Sequence, residues 1–145
     1  MVCTFFGHRD DYGLDIKLLY KTIERLIEDG VDTFYVGNQG HFDRTVLGCL
    51  IRLKENHKHI SLMVVLAYLP TQRVQENLYY EYSVYPEEVE MGPPRFAINR
   101  RNNWMIDKAD YCLCYVRHAR GGAYTFALRA KRKGLTVINL GGLEL

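Results

Sequence analysis

The sequence predicts an α/β fold: an open, mainly parallel sheet with helices on both faces. Three observations point there. Short apolar runs alternate with longer amphipathic stretches, the pattern of strands exchanging with covering helices. The short runs carry almost no charge, as strands covered on both sides do. Glycine or proline repeatedly closes a run, where a turn has to begin.

The elements follow in order. Residues 2–7, VCTFFG, form a strand ended by glycine. Ile16, Leu19, Tyr20, Ile23, Leu26 and Ile27 then recur at helical spacing, with Gly30 as the stop. VDTFYVG is the second strand, closed by Gly37. Phe42, Val46, Cys49, Leu50 and Leu53 share one face of the next helix. ISLMVVLAYLP is a nearly continuous apolar run, the mark of a strand buried on both faces. Periodicity lapses over 71–94, a Tyr-rich stretch with acids at Glu87, Glu88 and Glu90. A connection of that length in a compact domain is functional or poorly ordered; its tyrosines and Val84 either add a small strand or cover a pocket. Helical spacing resumes through Phe96, Asn99, Asn103 and Ile106, then strand 111–116, a helix from the Gly121-Gly122 pair, and strand 135–140. The expectation is one domain over 1–145, with 71–94 inserted in it.

Composition narrows the class. With 48% hydrophobic and 25% charged residues, this is the make-up of a soluble globular chain. No apolar run reaches bilayer length, and MVCTFF lacks the marks of a signal peptide, so a cytoplasmic protein without membrane contact is expected. A net charge of +2 is too small to argue for nucleic acid as the partner, which is not expected. Cys3, Cys49, Cys112 and Cys114 read as buried reduced thiols. Cys112 and Cys114 share a strand face, but no second Cys/His pair at zinc spacing accompanies them, so no metal is expected.

In open sheets of this kind, ligands sit beyond the carboxyl ends of the strands, where strand order reverses. The first strand is followed by Gly7-His8-Arg9-Asp10, the second by Gly37-Asn38-Gln39-Gly40-His41-Phe42-Asp43, and the strand at 111–116 by Arg117-His118-Ala119-Arg120-Gly121-Gly122. Glycines admit a ligand to backbone N–H groups, helix starts offer unpaired N–H groups to anions, and arginine supplies the fork for phosphate. Each loop alone also reads as a plain turn, and His8, His41 and His118 as surface histidines. Three such loops at one sheet edge describe a site for an anionic, phosphate-bearing ligand. Arg100 and Arg101 are adjacent on a helix, so one of them reaches that site. His57, His59 and the Lys131-Arg132-Lys133 run read as solvated helix ends.

The segments CTFFGHRD, FYVGNQGHFD, RNNWMIDKADYCLCYVRHARGGAYT and AKRKGLTVINL look like the SLOG superfamily. This Rossmann-like, doubly wound group includes the LOG phosphoribohydrolases, DprA-like proteins and small YpsA-like proteins. The resemblance covers almost the whole chain and is nearest to the stand-alone YpsA-like members. It implies binding of a nucleotide or nucleotide-derived signal, NAD- or ADP-ribose-like or cyclic, with members acting as sensors in antiviral defence. It also implies a homo-oligomer, and the Tyr-rich stretch around Tyr79 to Tyr85 either serves an interface or packs on its own sheet. The family's phosphate turn matches Gly121, Gly122 and Thr125, and its Arg-x-x-x-Met signature matches Arg101 to Met105. On this reading Gly7, His8 and Arg9 approach from one side and Gly37, Asn38, Gly40 and Asp43 from the middle. Arg117 and Arg120 join the phosphate turn, with Arg101 or Arg100 as a clamp. Tyr124 or Trp104 stacks on a base or belongs to the core.

One departure bears on chemistry. The enzymes of the family place a glutamate three residues after the threonine; here that position is Leu128, and no acid occurs from 111 to 142. Glycosidic cleavage needs a carboxylate or its equivalent. Asp43 is the candidate, yet it equally caps a helix or binds a ribose hydroxyl. Ser61 and Ser83 lack a nucleophile-elbow context, and a Walker loop is missing. The favoured reading is a ligand-binding sensor or sequestering protein without required cofactor, for instance in phage–host conflict. The alternative is a nucleotide hydrolase using Asp43 with Arg101, or an acid from 87–90.

Overall fold

The computed structural model describes residues 1–69 and 82–145. Its strands are β1 (Val2–Gly7), β2 (Thr33–Val36), β3 (Ser61–Val65), β4 (Ser83–Val84), β5 (Tyr111–Tyr115) and β6 (Thr136–Asn139). Its helices are α1 (Ile16–Glu28), α2 (His41–Asn56), α3 (Glu87–Glu90), α4 (Ala97–Lys108) and α5 (Gly122–Arg132), with a 3₁₀ turn at Pro94–Phe96. The six strands form one sheet in the order β4-β3-β2-β1-β5-β6, and every neighbouring pair is parallel. The fold is therefore α/β, Rossmann-like and doubly wound. The chain builds outward from β1 through β2, β3 and β4, then crosses back to β5 on the other side. Strand order reverses beside β1.

Alternation along the strands divides the interior into two cores. Cys3, Phe5, Phe34, Val36, Leu62, Val64 and Leu113 meet Leu19, Ile23 and Leu26 of α1 and Phe42, Val46 and Leu50 of α2. Phe6, Val65, Cys112 and Cys114 meet Met105 and Ile106 of α4 and Phe126, Ala127 and Ala130 of α5 on the other face. α1 begins where the Asp15 carboxylate accepts the Leu18 N–H at 3.1 Å, the usual cap for a helix N-terminus. Its buried stripe is Leu19, Ile23, Leu26 and Ile27; Ile16 lies outside it, 52% exposed. All four cysteines are free, buried thiols. At the end of β6, the Asn139 side-chain amide continues the pairing with the chain after β5: Oδ1 accepts the Val116 N–H and Nδ2 donates to the Val116 carbonyl, both at 2.9 Å.

Two elements differ from the sequence expectation. β3 is not buried on both faces, since Ser61 and Met63 are exposed. Trp104 of α4 packs 5.2 Å from the Tyr35 ring on β2, and Met63 is paired with Tyr35 one strand further out. The covering layer thus ends short of Met63. Of the expected stripe Phe96, Asn99, Asn103 and Ile106, only Ile106 is buried, and the inner face of α4 is Ala97, Arg101, Asn102, Met105 and Ile106. Two polar residues sit on the buried side because they are hydrogen-bonded there, which makes their burial tolerable and hides the stripe from apolar periodicity.

Of the 71–94 stretch, residues 71–81, including Tyr79 and Tyr80, lie outside the described ones. Ser83–Val84 adds the small strand β4 beside β3, and Tyr82 and Tyr85 pack on the core under α1 and α2. Among the described residues no helix is long and apolar enough to cross a membrane.

Gly7 ends β1 where a Cβ would overlap the ring of Phe42, which is buried in α2. That close approach seats the start of α2 against the end of β1. Gly7→Ala is expected to destabilise the protein by about 1–3 kcal/mol in urea unfolding, the cost of overpacking. Phe42→Leu in the Gly7→Ala background should recover part of the loss, and strictly additive effects would show that the two positions do not press on each other.

Candidate functional site

A cleft of about 370 Å³ opens at the carboxyl ends of β1, β2 and β5. It lies where strand order reverses, as ligand sites in open α/β sheets do. Gly7, His8 and Arg9 line it after β1; Gly37, Gln39, Gly40 and Asp43 after β2; His118, Arg120, Gly121 and Gly122 after β5. α4 closes the remaining side with Asn99, Arg101 and Asn102, and the aromatic rings of Phe42 and Phe126 supply an apolar wall.

Two helices begin in this cleft. α2 starts after Gly40 and α5 after Gly121, and neither cap residue has a side-chain hydrogen bond to the first turn. The α5 start thus presents its leading N–H groups without a side-chain acceptor among the described residues, whereas the α2 start carries the Asp43 carboxylate in its first turn. Gly121 has φ 88, a conformation in which other residues are strained. Gly122 has an ordinary φ, and nothing lies within 4 Å of where its Cβ would stand. No packing among the described residues asks for glycine at 122; its missing side chain leaves the helix end open to the cleft. Thr125 does not line the site. Its hydroxyl and its N–H both turn back to the Gly121 carbonyl, at 3.0 and 3.1 Å, and so hold the turn.

The floor is built around a buried cation. Arg101 is 3% exposed; its Nε donates to Asn102 Oδ1 at 2.8 Å and its Nη1 to the Val65 carbonyl at 3.1 Å and Asn38 Oδ1 at 3.4 Å. Asn38 is thus spent behind the wall, where it also accepts from the Gln39 amide at 3.0 Å. The Asp43 carboxylate feels the charge of that guanidinium, and its Oδ2 accepts the Gln39 N–H at 2.9 Å. A Cβ on Gly37 would come within 2.8 Å of Arg101 Nη1 and 3.0 Å of Asp43 Oδ2, so glycine lets both side chains flank the end of β2. Burial pushes the Asp43 carboxyl up, against the Gln39 N–H and the charges of Arg101 and Arg44. Burial pulls the Arg101 guanidinium down, against the attraction of Asp43.

The two candidate arginines of α4 are separated by the fold. Arg100 donates to the Val89 and Pro93 carbonyls at 2.9 and 2.8 Å, which fastens the segment around α3 to α4 and removes it from the cleft. Arg117 is likewise a bracket: its side chain lies over the Tyr115 ring and donates to the Asp10 carbonyl at 3.4 Å. Glu87, Glu88 and Glu90 do not line the cleft, and Asp43 is the acid that does among the described residues. His41 sits outside it, paired with Asp11 at 2.7 Å. Trp104 and Tyr124 pack against the core under α4 and α5.

His8 and His118 stack with ring centroids 4.0 Å apart. His8 Nε2 accepts the backbone N–H of Arg117 at 3.0 Å, which puts the proton of the neutral ring on Nδ1. Burial, then the nearby His118 and Arg117, hold the His8 pKa below its ordinary value, with Asp10 opposing. His118 Nδ1 is buried without a hydrogen-bond partner among the described residues. Gln39, Asn99, Asn102 and Phe42 also line the cleft, though none was among the expected ligand contacts; Gln39 and Phe42 lie in the glycine-bearing loop after β2, and Asn99 and Asn102 flank the Arg100-Arg101 pair.

No protein-family model matches the chain, and no curated protein is significantly similar to it.

The His8 geometry sets a pH dependence. Because its pKa is lowered on folding, the unfolded chain takes up a proton that the folded one resists. This contribution to stability is complete above about pH 6.5, the ordinary histidine value, and is lost as pH falls below it. His8→Gln keeps an acceptor near the Nε2 position and does not titrate, so its melting temperature should fall less than the wild type's between about pH 7 and 5. Identical slopes would assign the acid sensitivity to other groups.

Proposed function

We propose that the protein binds a phosphate-bearing, nucleotide-derived ligand, NAD- or ADP-ribose-like or a cyclic nucleotide, and acts as a sensor or sequestering module. The observation that carries this reading is the convergence of two glycine-opened helix N-termini on one cleft at the strand-order reversal. Each offers oriented N–H groups and partial positive charge, and two together suit a pyrophosphate or a pair of phosphates. Arg9 and Arg120, both exposed on the lining, add charge-assisted donors. The ring-lined wall takes a base or sugar face, and the volume falls in the range of small-ligand sites. Such a module works in the cytoplasm, as a homo-oligomer, by passing on or withholding a signal nucleotide, for instance in phage–host conflict.

A second reading is favoured by one observation. Asp43 is an acid lining the cleft, as Arg101 does, with its carboxyl raised by burial, and a carboxyl of that kind exchanges protons nearer neutral pH. On this reading the protein hydrolyses the N-glycosidic or phosphate bond of the nucleotide it holds.

The test is a thermal-shift screen against AMP, NAD, ADP-ribose, cyclic ADP-ribose isomers and cyclic oligonucleotides, with chromatography of recovered ligand. Stabilisation with the ligand intact supports the sensor. A converted ligand supports the hydrolase, and Asp43→Asn should then abolish turnover. No shift with any nucleotide overturns both. For a ligand that binds, Arg120→Ala should weaken affinity about tenfold or more, the loss of one charge-assisted hydrogen bond, with an unchanged melting temperature of the free protein.

A further inference from the structure

Resting on the nucleotide-binding reading, we propose that the stacked rings of His8 and His118 form a two-donor grip on the ligand's phosphate oxygens, in which both imidazoles stay neutral and each gives one N–H. The pair comes from two loops, after β1 and after β5, and both residues line the cleft. Their ring centroids lie 4.0 Å apart with the planes 17° from parallel. The two rings are therefore one block, in the same lining as Arg120 and the Gly121-Gly122 turn.

A neutral imidazole has one donor and one acceptor nitrogen, and its partners decide which is which. His8 Nε2 accepts the Arg117 N–H at 3.0 Å, so its proton sits on Nδ1. That donor has no hydrogen bond among the described residues, yet it is not sealed, since the buried side-chain polar atom left without a partner among them is His118 Nδ1. His8 is 9% exposed, and the opening it lines is the cleft. For His118 the buried Nδ1 decides. An orphaned buried N–H is tolerated less well than an unmet lone pair, so Nδ1 keeps its lone pair and the proton stands on Nε2. That nitrogen is likewise neither sealed nor hydrogen-bonded among the described residues.

The lock on His8 settles what the pair can do. With Nε2 given to the Arg117 N–H, the ring brings no lone pair to the cleft and is neither a general base nor a metal ligand there. A second proton on His8 would set N–H against N–H, and one on His118 would bury an N–H with no acceptor. Burial, His118 and Arg117 together hold His8 neutral, and Asp10 opposes them. Two donors without an acceptor match a group that only accepts, and an ionised phosphate is such a group. Arg9 and Arg120 supply charge from the same lining, and the histidines supply direction. The unmet nitrogen of His118 costs the free protein stability; the stack that buries it also aims the ring.

The experiment is calorimetric titration near neutral pH of wild type, His8→Gln and His118→Phe with ADP-ribose and with inorganic pyrophosphate. It is run in two buffers of different ionisation enthalpy, with melting temperatures of the free proteins alongside. His8→Gln keeps an acceptor for the Arg117 N–H without the Nδ1 donor, and His118→Phe keeps a stacking ring without either nitrogen. Each should weaken the probe that wild type binds by about tenfold, the loss of one hydrogen bond to a charged group. His118→Phe should at the same time melt no lower than wild type, because it removes a buried polar atom that has no partner. Binding by either variant within about twofold of wild type overturns this inference and leaves nucleotide binding intact. A proton taken up on binding by wild type and not by His118→Phe overturns the neutral grip in favour of a cationic one. Binding of neither probe overturns this inference and the reading it rests on. His118→Phe and the buffer pair decide the matter even if His8→Gln fails to fold.

Discussion

A guanidinium that is 3% exposed must have its N–H groups met inside the protein, and Arg101 has them met from three directions. The Val65 carbonyl comes from the end of β3, Asn38 from the turn after β2, and Asn102 from its own helix. Asp43 adds the opposing charge from the first turn of α2. One side chain thus joins α4 to the ends of two strands and the start of a helix that approaches from the other face of the sheet. The floor of the cleft exists because this cation has to be satisfied, and Gly37 is glycine because the cation and its counter-charge crowd the strand end from both sides.

The same economy runs through the rest of the site. Polar groups that a solvent-exposed loop would leave to water are here used once each and in a fixed direction. Thr125 closes its own turn, Arg100 fastens α3 to α4, Arg117 braces the loop after β1, and His8 accepts a backbone N–H from the loop after β5. What remains unpaired is therefore informative. Among the described residues it includes the leading N–H groups of α5 and the buried nitrogen of His118.

Much of the frame was legible in the sequence, because it rests on burial. The charge-free runs became β1, β2, β3, β5 and β6, and the stripe of Leu19, Ile23, Leu26 and Ile27 became the inner face of α1. The glycine-bearing strand ends came together at one edge. What was illegible depended on direction. Apolar periodicity cannot see a helix whose inner face includes Arg101 and Asn102, so of the stripe expected for α4 only Ile106 faces inward. Residue type alone made Arg100, Arg117 and Thr125 equivalent to Arg120 and Gly122, although carbonyl partners elsewhere claim the first three. The exposed Met63 depended on where α4 stops, which no local pattern records.

The position of β1 carries a consequence for how the molecule comes into being. Its partner on one side, β2, follows within the next thirty-odd residues, with Val2 paired to Thr33. Its partner on the other side is β5, and the Val2 N–H is met by Asp110, 108 residues away. Until β5 has left the ribosome, the middle strand of the finished sheet is an open edge, and its Phe6 face has neither α4 nor α5 to cover it. Pairings of such separation are slow to form, and unpaired apolar edges invite association with other chains. The strand-order reversal that creates the cleft is thus among the last parts of the sheet to close, and nascent or unfolded chains hold no assembled site.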